Sequence, residues 1–229
     1  MTTPDTVTRR RLDRWSGACL MVAGLLLLST APHPDVFEST FAQAALDTPF
    51  WTAMHAALLV SAFLSLVGLF ALYGQYGTRL GRLGAVGFAL AVTGLVVAAC
   101  VFYFEAFLLP VVARHDPALL AWDGPIIASW GFRLSALAGL WLVGMVMLGF
   151  ALSRSGVIPR AAALTLAVSA AAFALLEGPF VPVLGPLSTV AFAAAYVWVG
   201  AALWAGATGQ AGNAARGPRR DPPVPAGRG

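Results

Sequence analysis

Four ionisable residues, His55, Glu105, Arg133 and Glu177, interrupt stretches that are otherwise apolar. Charge is expensive in hydrocarbon, so each of them calls for a partner or a function. Two carboxyls, an imidazole and a guanidinium are the parts of an acid–base site. A carboxyl in apolar surroundings has its charged form disfavoured and can hold a proton near neutral pH. A second carboxyl, kept ionised by a neighbouring cation, can take a proton back later in the cycle. Glu105 and Glu177 are therefore the expected catalytic pair, with His55 and Arg133 tuning them. Trp51, Phe102, Tyr103 and Trp130 fall at the same level and are the expected binding residues, since aromatic faces stabilise cations. An interfacial belt accounts for most of the other aromatic side chains there. Phe102, Tyr103 and Phe104 cannot all face lipid, however, because consecutive helical residues point about 100° apart.

This inventory fits proton transfer to a lipophilic molecule, such as cyclisation or isomerisation of an isoprenoid or another lipid. Small membrane terpene cyclases with acids on separate helices are a chemical analogy, and no motif is shared with them. A proton-coupled small transporter or an accessory membrane subunit is the alternative, since intramembrane Glu and His serve in proton relays. A third reading leaves the charges structural, with Glu105 paired to Arg133 to hold helices together. A metal at His55, Glu105 and Glu177 would lack HxxxH or HxxE spacing, and Arg133 would repel a cation. Neither metal nor cofactor is expected. The chain has no Gly-rich phosphate loop and no GxSxG, and no pair of histidines within spans for haem. His33 and His115 fall in outer loops, where capping or solvation is the default role.

Bringing these groups to one depth is a task for membrane-crossing helices. Of 229 residues, 59% are hydrophobic and only 10% charged, with a mean hydropathy of +0.80. A soluble domain needs more polar surface than that. Apolar runs near the ~20 residues that cross a bilayer recur at about 15–31, 52–73, 84–109, 131–153, 159–181 and 185–206. The expected fold is an all-α polytopic bundle of six transmembrane helices over 15–206. It is preceded by a cytoplasmic segment, 1–14, and followed by a Gly-, Pro- and Arg-rich tail, 207–229, expected to be disordered. All fourteen basic residues are Arg, and twelve of them lie in the N-terminus, the 74–83 and 154–160 loops and the tail. By the positive-inside rule both termini are cytoplasmic, which requires an even number of spans. The expected location is the cell membrane, with membrane lipid as partner. Arginines confined to loops do not make a nucleic-acid stripe, so no nucleic acid is expected.

Pro32, directly after the small residues Ser29, Thr30 and Ala31, argues for an uncleaved first helix. Two outer segments read as short capped helices on the membrane surface: one opened by Asp35 and Glu38 with Phe37, Phe41 and Ala45 on a face, the other at Asp116–Trp122. The two halves also share an order of residues. His33-Pro34, Trp51, Phe70-Ala71-Leu72, Arg82, Glu105 and Pro110-Val111 match His115, Trp130, Phe150-Ala151-Leu152, Arg160, Glu177 and Pro182-Val183. Trp to Phe is 19 residues in one and 20 in the other, and Glu to Pro is five in both, although Arg to Glu is 23 against 17. A twofold internal repeat would place Glu105 opposite Glu177, and His55 opposite Arg133. Cys19 and Cys100 lie in apolar helices with no CxxC and read as packing residues.

Overall fold

A computed structural model describes residues 4–34 and 39–215, with side chains from 8 to 206. Every regular element among the described residues is helical. Four helices are long and apolar enough to cross a membrane: Thr8–Thr30, Trp51–His115, Trp130–Ser155 and Leu184–Gly206. A shorter apolar helix runs over Arg160–Leu176.

The main elements are α1 (Pro4–Leu27), α2 (Phe41–Asp47), α3 (Trp51–Tyr103), α4 (Leu109–His115), α5 (Trp130–Arg133), α6 (Leu140–Ser155), α7 (Arg160–Leu176) and α8 (Leu184–Ala215). The apolar spacing of α3 continues through the segment that carries Arg79 and Arg82, so the chain stays helical where a loop is expected from charge. It reverses at one residue, Gly81, with φ 62 and ψ −161. Only glycine occupies that region without strain. The two arms, 51–80 and 82–103, then run back along each other. Tyr73 stacks on Phe88 at 4.2 Å near the turn, and His55 meets Glu105 at the far end.

The long helices close into a ring in which α1 packs on the first arm of α3, the second arm on α6, α6 on α7, α7 on α8 and α8 on α1. Small residues set the approach. A Cβ on Gly17 would lie 2.5 Å from the carbonyl oxygen of Gly200, and one on Gly87 would lie 3.0 Å from that of Gly144. Small residues are the means by which apolar helices reach close contact in a medium that gives no hydrophobic drive for association. Ser16 donates to the Gly68 carbonyl and Ser61 to that of Ala23, both at 2.8 Å. Asp13, 3% exposed, accepts from Gln75 at 2.7 Å and from Tyr76 at 2.8 Å. At mid-bundle the Trp141 indole donates to the Tyr196 hydroxyl at 2.9 Å. Leu20, Ala23 and Leu27 of α1 belong to the same core as Leu148, Leu166 and Phe192, so the first helix is an integral wall of the bundle.

The starts of α1 and α7, the Gly81 turn and the end of α6 share one end of the ring, and with them Arg9, Arg10, Arg11, Arg14, Arg79, Arg82, Arg154 and Arg160. At the opposite end the short elements form a cap. α2 begins after Thr40, whose side chain accepts from the Gln43 N–H while the Gln43 side chain accepts from Thr40. That reciprocal pair caps α2; the expected pair, Asp35 with Glu38, lies outside the described residues. The second short helix is a 3-10 turn, Pro117–Leu120, with no side-chain cap from Asp116. These pieces pack on α4 through Ala42, Ala45, Leu109, Ala113, Leu120 and Ile127. α8 is helical to Ala215, past the expected end of its span, and 216–229 lie outside the described residues.

Gly81 makes a clean test of the hairpin, because a Cβ there meets nothing within 4 Å. Gly81→Ala should lower stability by about 1–3 kcal/mol through backbone strain alone. Gly139→Ala, also in open space but at an ordinary helical φ, should leave the thermal midpoint in detergent at or slightly above the parent value.

Candidate functional site

The capped end of the ring encloses a cavity of about 190 Å³ lined by titratable and aromatic side chains, among them His33, His55, Glu105, Glu177, Phe173 and Phe180. The four titratable groups come from four pieces of chain: the α1–α2 connection, the start of α3, the turn after its second arm and the end of α7. His55 sits one turn into α3 and is 1% exposed. Glu105 lies in a π-helical turn, Phe104–Leu108, that follows the second arm, with the Leu109 N–H reaching back five residues to the Phe104 carbonyl. Single π turns in otherwise α-helical segments recur at functional sites. Glu177 follows the last residue of α7 and is 6% exposed.

Trp51 ties two of these groups together. Its indole N–H donates to the Glu105 backbone carbonyl at 2.7 Å. Its own carbonyl accepts from His55 Nδ1 at 2.9 Å, and its ring lies 4.3 Å from the imidazole. One buried residue thus fixes both the acid's backbone and the base's orientation.

The imidazole geometry has a chemical consequence. A carbonyl oxygen can only accept, so the Nδ1 of His55 must carry a hydrogen. His33 Nδ1 lies 2.8 Å from the Pro34 carbonyl and must carry one too. Both Nε2 atoms are then lone-pair bearers in the neutral rings, and they face each other at 3.3 Å. Glu105 Oε2 is also 3.3 Å from His55 Nε2. His55 Nε2 thus lies within 3.3 Å of both neighbours, and the three groups form a chain, His33–His55–Glu105, along which a proton can pass. Among the described residues no group of three His, Cys, Asp or Glu side chains is arranged to hold a metal ion.

Glu177 is held from the other side. Its carboxyl lies beside Thr189, whose hydroxyl donates to the Gly185 carbonyl at 3.3 Å, and a Cβ on Gly185 would lie 2.8 Å from its Oε2. The connection that follows α7 carries two non-glycine residues at positive φ, Phe180 (53°) and Val183 (64°). Such strain is retained where surrounding contacts over-determine it. The Phe180 ring packs on His33 at 5.2 Å. Thr30 lines the same cavity, 8% exposed, and its hydroxyl is buried with no hydrogen-bond partner.

Of the residues singled out from sequence, His55, Glu105, Glu177 and Phe102 line the cavity, and Trp51 braces it. Tyr103, 51% exposed, faces outward into a groove with Phe63 and Val96. Trp130, 73% exposed, and Arg133, also exposed, line no part of the cavity. The reason is local: α5 is a single turn capped by Ser129, and it passes into a 3-10 stretch, Leu134–Gly139, that lies along the second arm of α3. Arg133 therefore does not occupy the position that His55 holds in the other half, and the two halves differ here in side-chain placement. His33, Thr30, Trp141, Phe173 and Phe180 also line it and were not among the expected site residues. His33 had a signal: it follows an apolar helix by a few residues and precedes a proline, which keeps it close to that helix end.

Comparison with known proteins finds no family model, no curated protein and no solved structure that matches this chain.

The Trp51 brace is testable without knowing a substrate. Trp51→Phe keeps one aromatic ring but removes the N–H donated to Glu105 together with part of the buried volume, and should lower stability by at least about 1 kcal/mol. Thermal unfolding in detergent measures this; an unchanged midpoint would mean that the bond carries no weight.

Proposed function

We propose that the protein is a polytopic membrane protein whose capped cavity transfers protons to and from a lipophilic small molecule, an isoprenoid or a related lipid. The observation that carries this reading is the His33–His55–Glu105 chain lining one cavity with a second buried carboxyl, Glu177.

In this account the chain crosses the membrane six times: by α1, the two arms of α3, α6 with its preceding turns, α7 and α8. α7 has 17 residues, about 26 Å at 1.5 Å per residue. Its continuation to Glu177 brings it near the ~30 Å of a bilayer core. The arginine-rich end faces the cytoplasm, so both termini are cytoplasmic and the cavity opens toward the outer leaflet.

The chemistry follows from the parts. A proton leaves a carboxyl O–H for an electron-rich carbon of an alkene. The π pair becomes the new C–H bond, and the positive charge stays on the adjacent carbon, opposite the new carboxylate. Loss of a proton from a neighbouring C–H to the other carboxylate regenerates a double bond in a new position. Glu105 is the better donor, because His55 and His33 connect it to the loop after α1 and can restore its proton. Glu177, buried at the end of α7, is the acceptor. Phe102, Trp141, Phe173 and Phe180 exclude water and present aromatic surface to the charge. The site's place at one end of the bundle favours an enzyme over a transporter, whose binding site belongs near the membrane midplane.

Glu105→Gln and Glu177→Gln each preserve shape and remove the exchangeable carboxyl. Each should lower turnover or cellular function by at least about 100-fold, the usual range for general acid–base groups. Two folded variants with full function would contradict the proposal. Turnover that persists in detergent micelles, where no sealed compartment exists, separates the enzyme from a proton-coupled transporter.

A further inference from the structure

Arg133 is a charge that the cavity does not use. It lies in an apolar helix long enough to cross a membrane, Trp130–Ser155, where a cation without a partner is costly. It is exposed, and among the described residues no acid or hydrogen-bond acceptor sits against its guanidinium. The turn that carries it, α5, leads into the 3-10 stretch Leu134–Gly139. A 3-10 helix is drawn out, about 2.0 Å per residue, and brings side chains three apart into line. Leu134 and Leu137 therefore stack on one side of a slender rod. Gly131, one turn earlier, adds no side chain there. Between this rod and the second arm of α3 lies a groove of about 460 Å³, more than twice the cavity's volume.

One wall of the groove is a stripe of the second arm, Val97, Cys100, Val101 and Phe104, about 10 Å long on the helix axis. The other includes Gly131, Leu134, Ser135 and Leu137. The groove is separate from the acid–base cavity. Val101 and Phe104 face it, while their chain neighbours Phe102 and Glu105 line the cavity. Leu134 and Leu137 are each 44% exposed, so the groove opens sideways, where an apolar bundle meets lipid. Its size and lining are those of a small-molecule site. Ser135 is the polar exception. Ser153, Ser155, Ser169 and Ser188 each donate to a carbonyl three or four residues back. The Ser135 hydroxyl makes no hydrogen bond among the described residues. A hydroxyl that faces hydrocarbon without a partner is unfavourable.

We propose that this groove holds one diacyl glycerophospholipid of the surrounding bilayer, with its phosphate on Arg133. One acyl chain lies between the two walls, and the Ser135 O–H donates to an ester carbonyl. The guanidinium, whose N–H groups match a phosphate in pairs, takes the headgroup. Trp130, 73% exposed, marks the level of the membrane interface beside it. Ser135 stands two residues further in, about 4 Å along a 3-10 helix, and Leu137 follows. The order cation, hydroxyl, hydrocarbon is the order phosphate, ester, chain. An apolar helix of another protein would cover the groove but leave both Arg133 and Ser135 without partners. The proposal rests on the chain's place in a membrane and not on proton transfer.

Palmitoyl-oleoyl-phosphatidylglycerol and palmitoyl-oleoyl-glycerol carry the same chains and esters, and they differ in the phosphate headgroup. Native mass spectrometry of the intact protein in detergent, titrated with each, measures how tightly the first lipid binds. The phosphatidylglycerol should bind at least tenfold more tightly than the diacylglycerol. Arg133→Gln should remove that preference. Gly131→Leu should fill the groove and weaken both lipids by fivefold or more; its new Cβ would meet only the Ser129 Oγ, at 3.8 Å. Arg114→Gln, at an exposed arginine of α4 away from the groove, should leave both within a factor of two. Equal affinity for the two lipids, or phosphatidylglycerol binding indifferent to Arg133→Gln or to Gly131→Leu, would overturn the proposal. So would an Arg114→Gln effect as large as that of Arg133→Gln, the mark of diffuse attraction to charge. Glu105→Gln and Glu177→Gln should bind phosphatidylglycerol as the parent does, so this site and the acid–base reading fail independently.

Discussion

His33 and His55 each give the hydrogen on Nδ1 to a backbone carbonyl, and the rest of the site depends on that commitment. It leaves two lone pairs facing each other and a carboxyl oxygen at the same distance from one of them. A hydrogen carried by any one of these three atoms has an acceptor 3.3 Å away. Its members come from the α1–α2 connection, the start of α3 and the π turn after the second arm. The cluster therefore reports the hairpin, the cap and the first helix in one place. If any of these shifted by a helical turn, about 5.4 Å, the proton would lose its partners.

The surrounding architecture can be read as what keeps this cluster in register. The Gly81 reversal sets the lengths of the two arms so that His55 meets Glu105 at the far end. Close approaches at Gly17–Gly200 and Gly87–Gly144 draw neighbouring helices of the ring together on the arginine-rich side of the cavity. Trp141 serves both regions: its ring lines the cavity, and its N–H is satisfied within the core by Tyr196. Interhelical hydrogen bonds in membranes contribute modestly, on the order of 0.6–2 kcal/mol each. Ser16, Ser61 and Asp13 therefore act as register pins along α1 more than as the main source of cohesion, which is packing.

Helical class, apolar spans and the ionisable residues were legible from sequence because each is a departure from a simple rule about hydrocarbon. Phe102 and Tyr103 diverge as consecutive helical residues must: Phe102 lines the cavity and Tyr103 faces outward. Other features were hidden for physical reasons. Arg79 and Arg82 look like a loop, yet a helix tolerates them where its end leaves the apolar region, and one glycine suffices for the reversal. Trp130 and Arg133 were matched to Trp51 and His55 by order along the chain. Order does not reveal that one element starts as a long α-helix and the other as a single turn followed by a 3-10 stretch. His33 was assigned to solvent because it lies between helices, and only the fold shows that the segment after α1 turns back over the bundle. Phe173 and Trp141 resemble any other apolar residues of a span, and no pattern in one sequence marks which of these face a cavity.

The account's central claim is the protonation pattern of the histidine pair, and nitrogen NMR of protein labelled with 15N-histidine in lipid bilayers observes it directly. The signals of His33 and His55, assigned by His33→Asn and by His55→Asn, should show Nδ1 protonated in both rings. Their two Nε2 signals should be coupled, shifting together when either partner or Glu105 is replaced. Nε2-protonated neutral rings, or two histidines whose signals ignore each other and Glu105, would contradict the three-group chain on which the site is built.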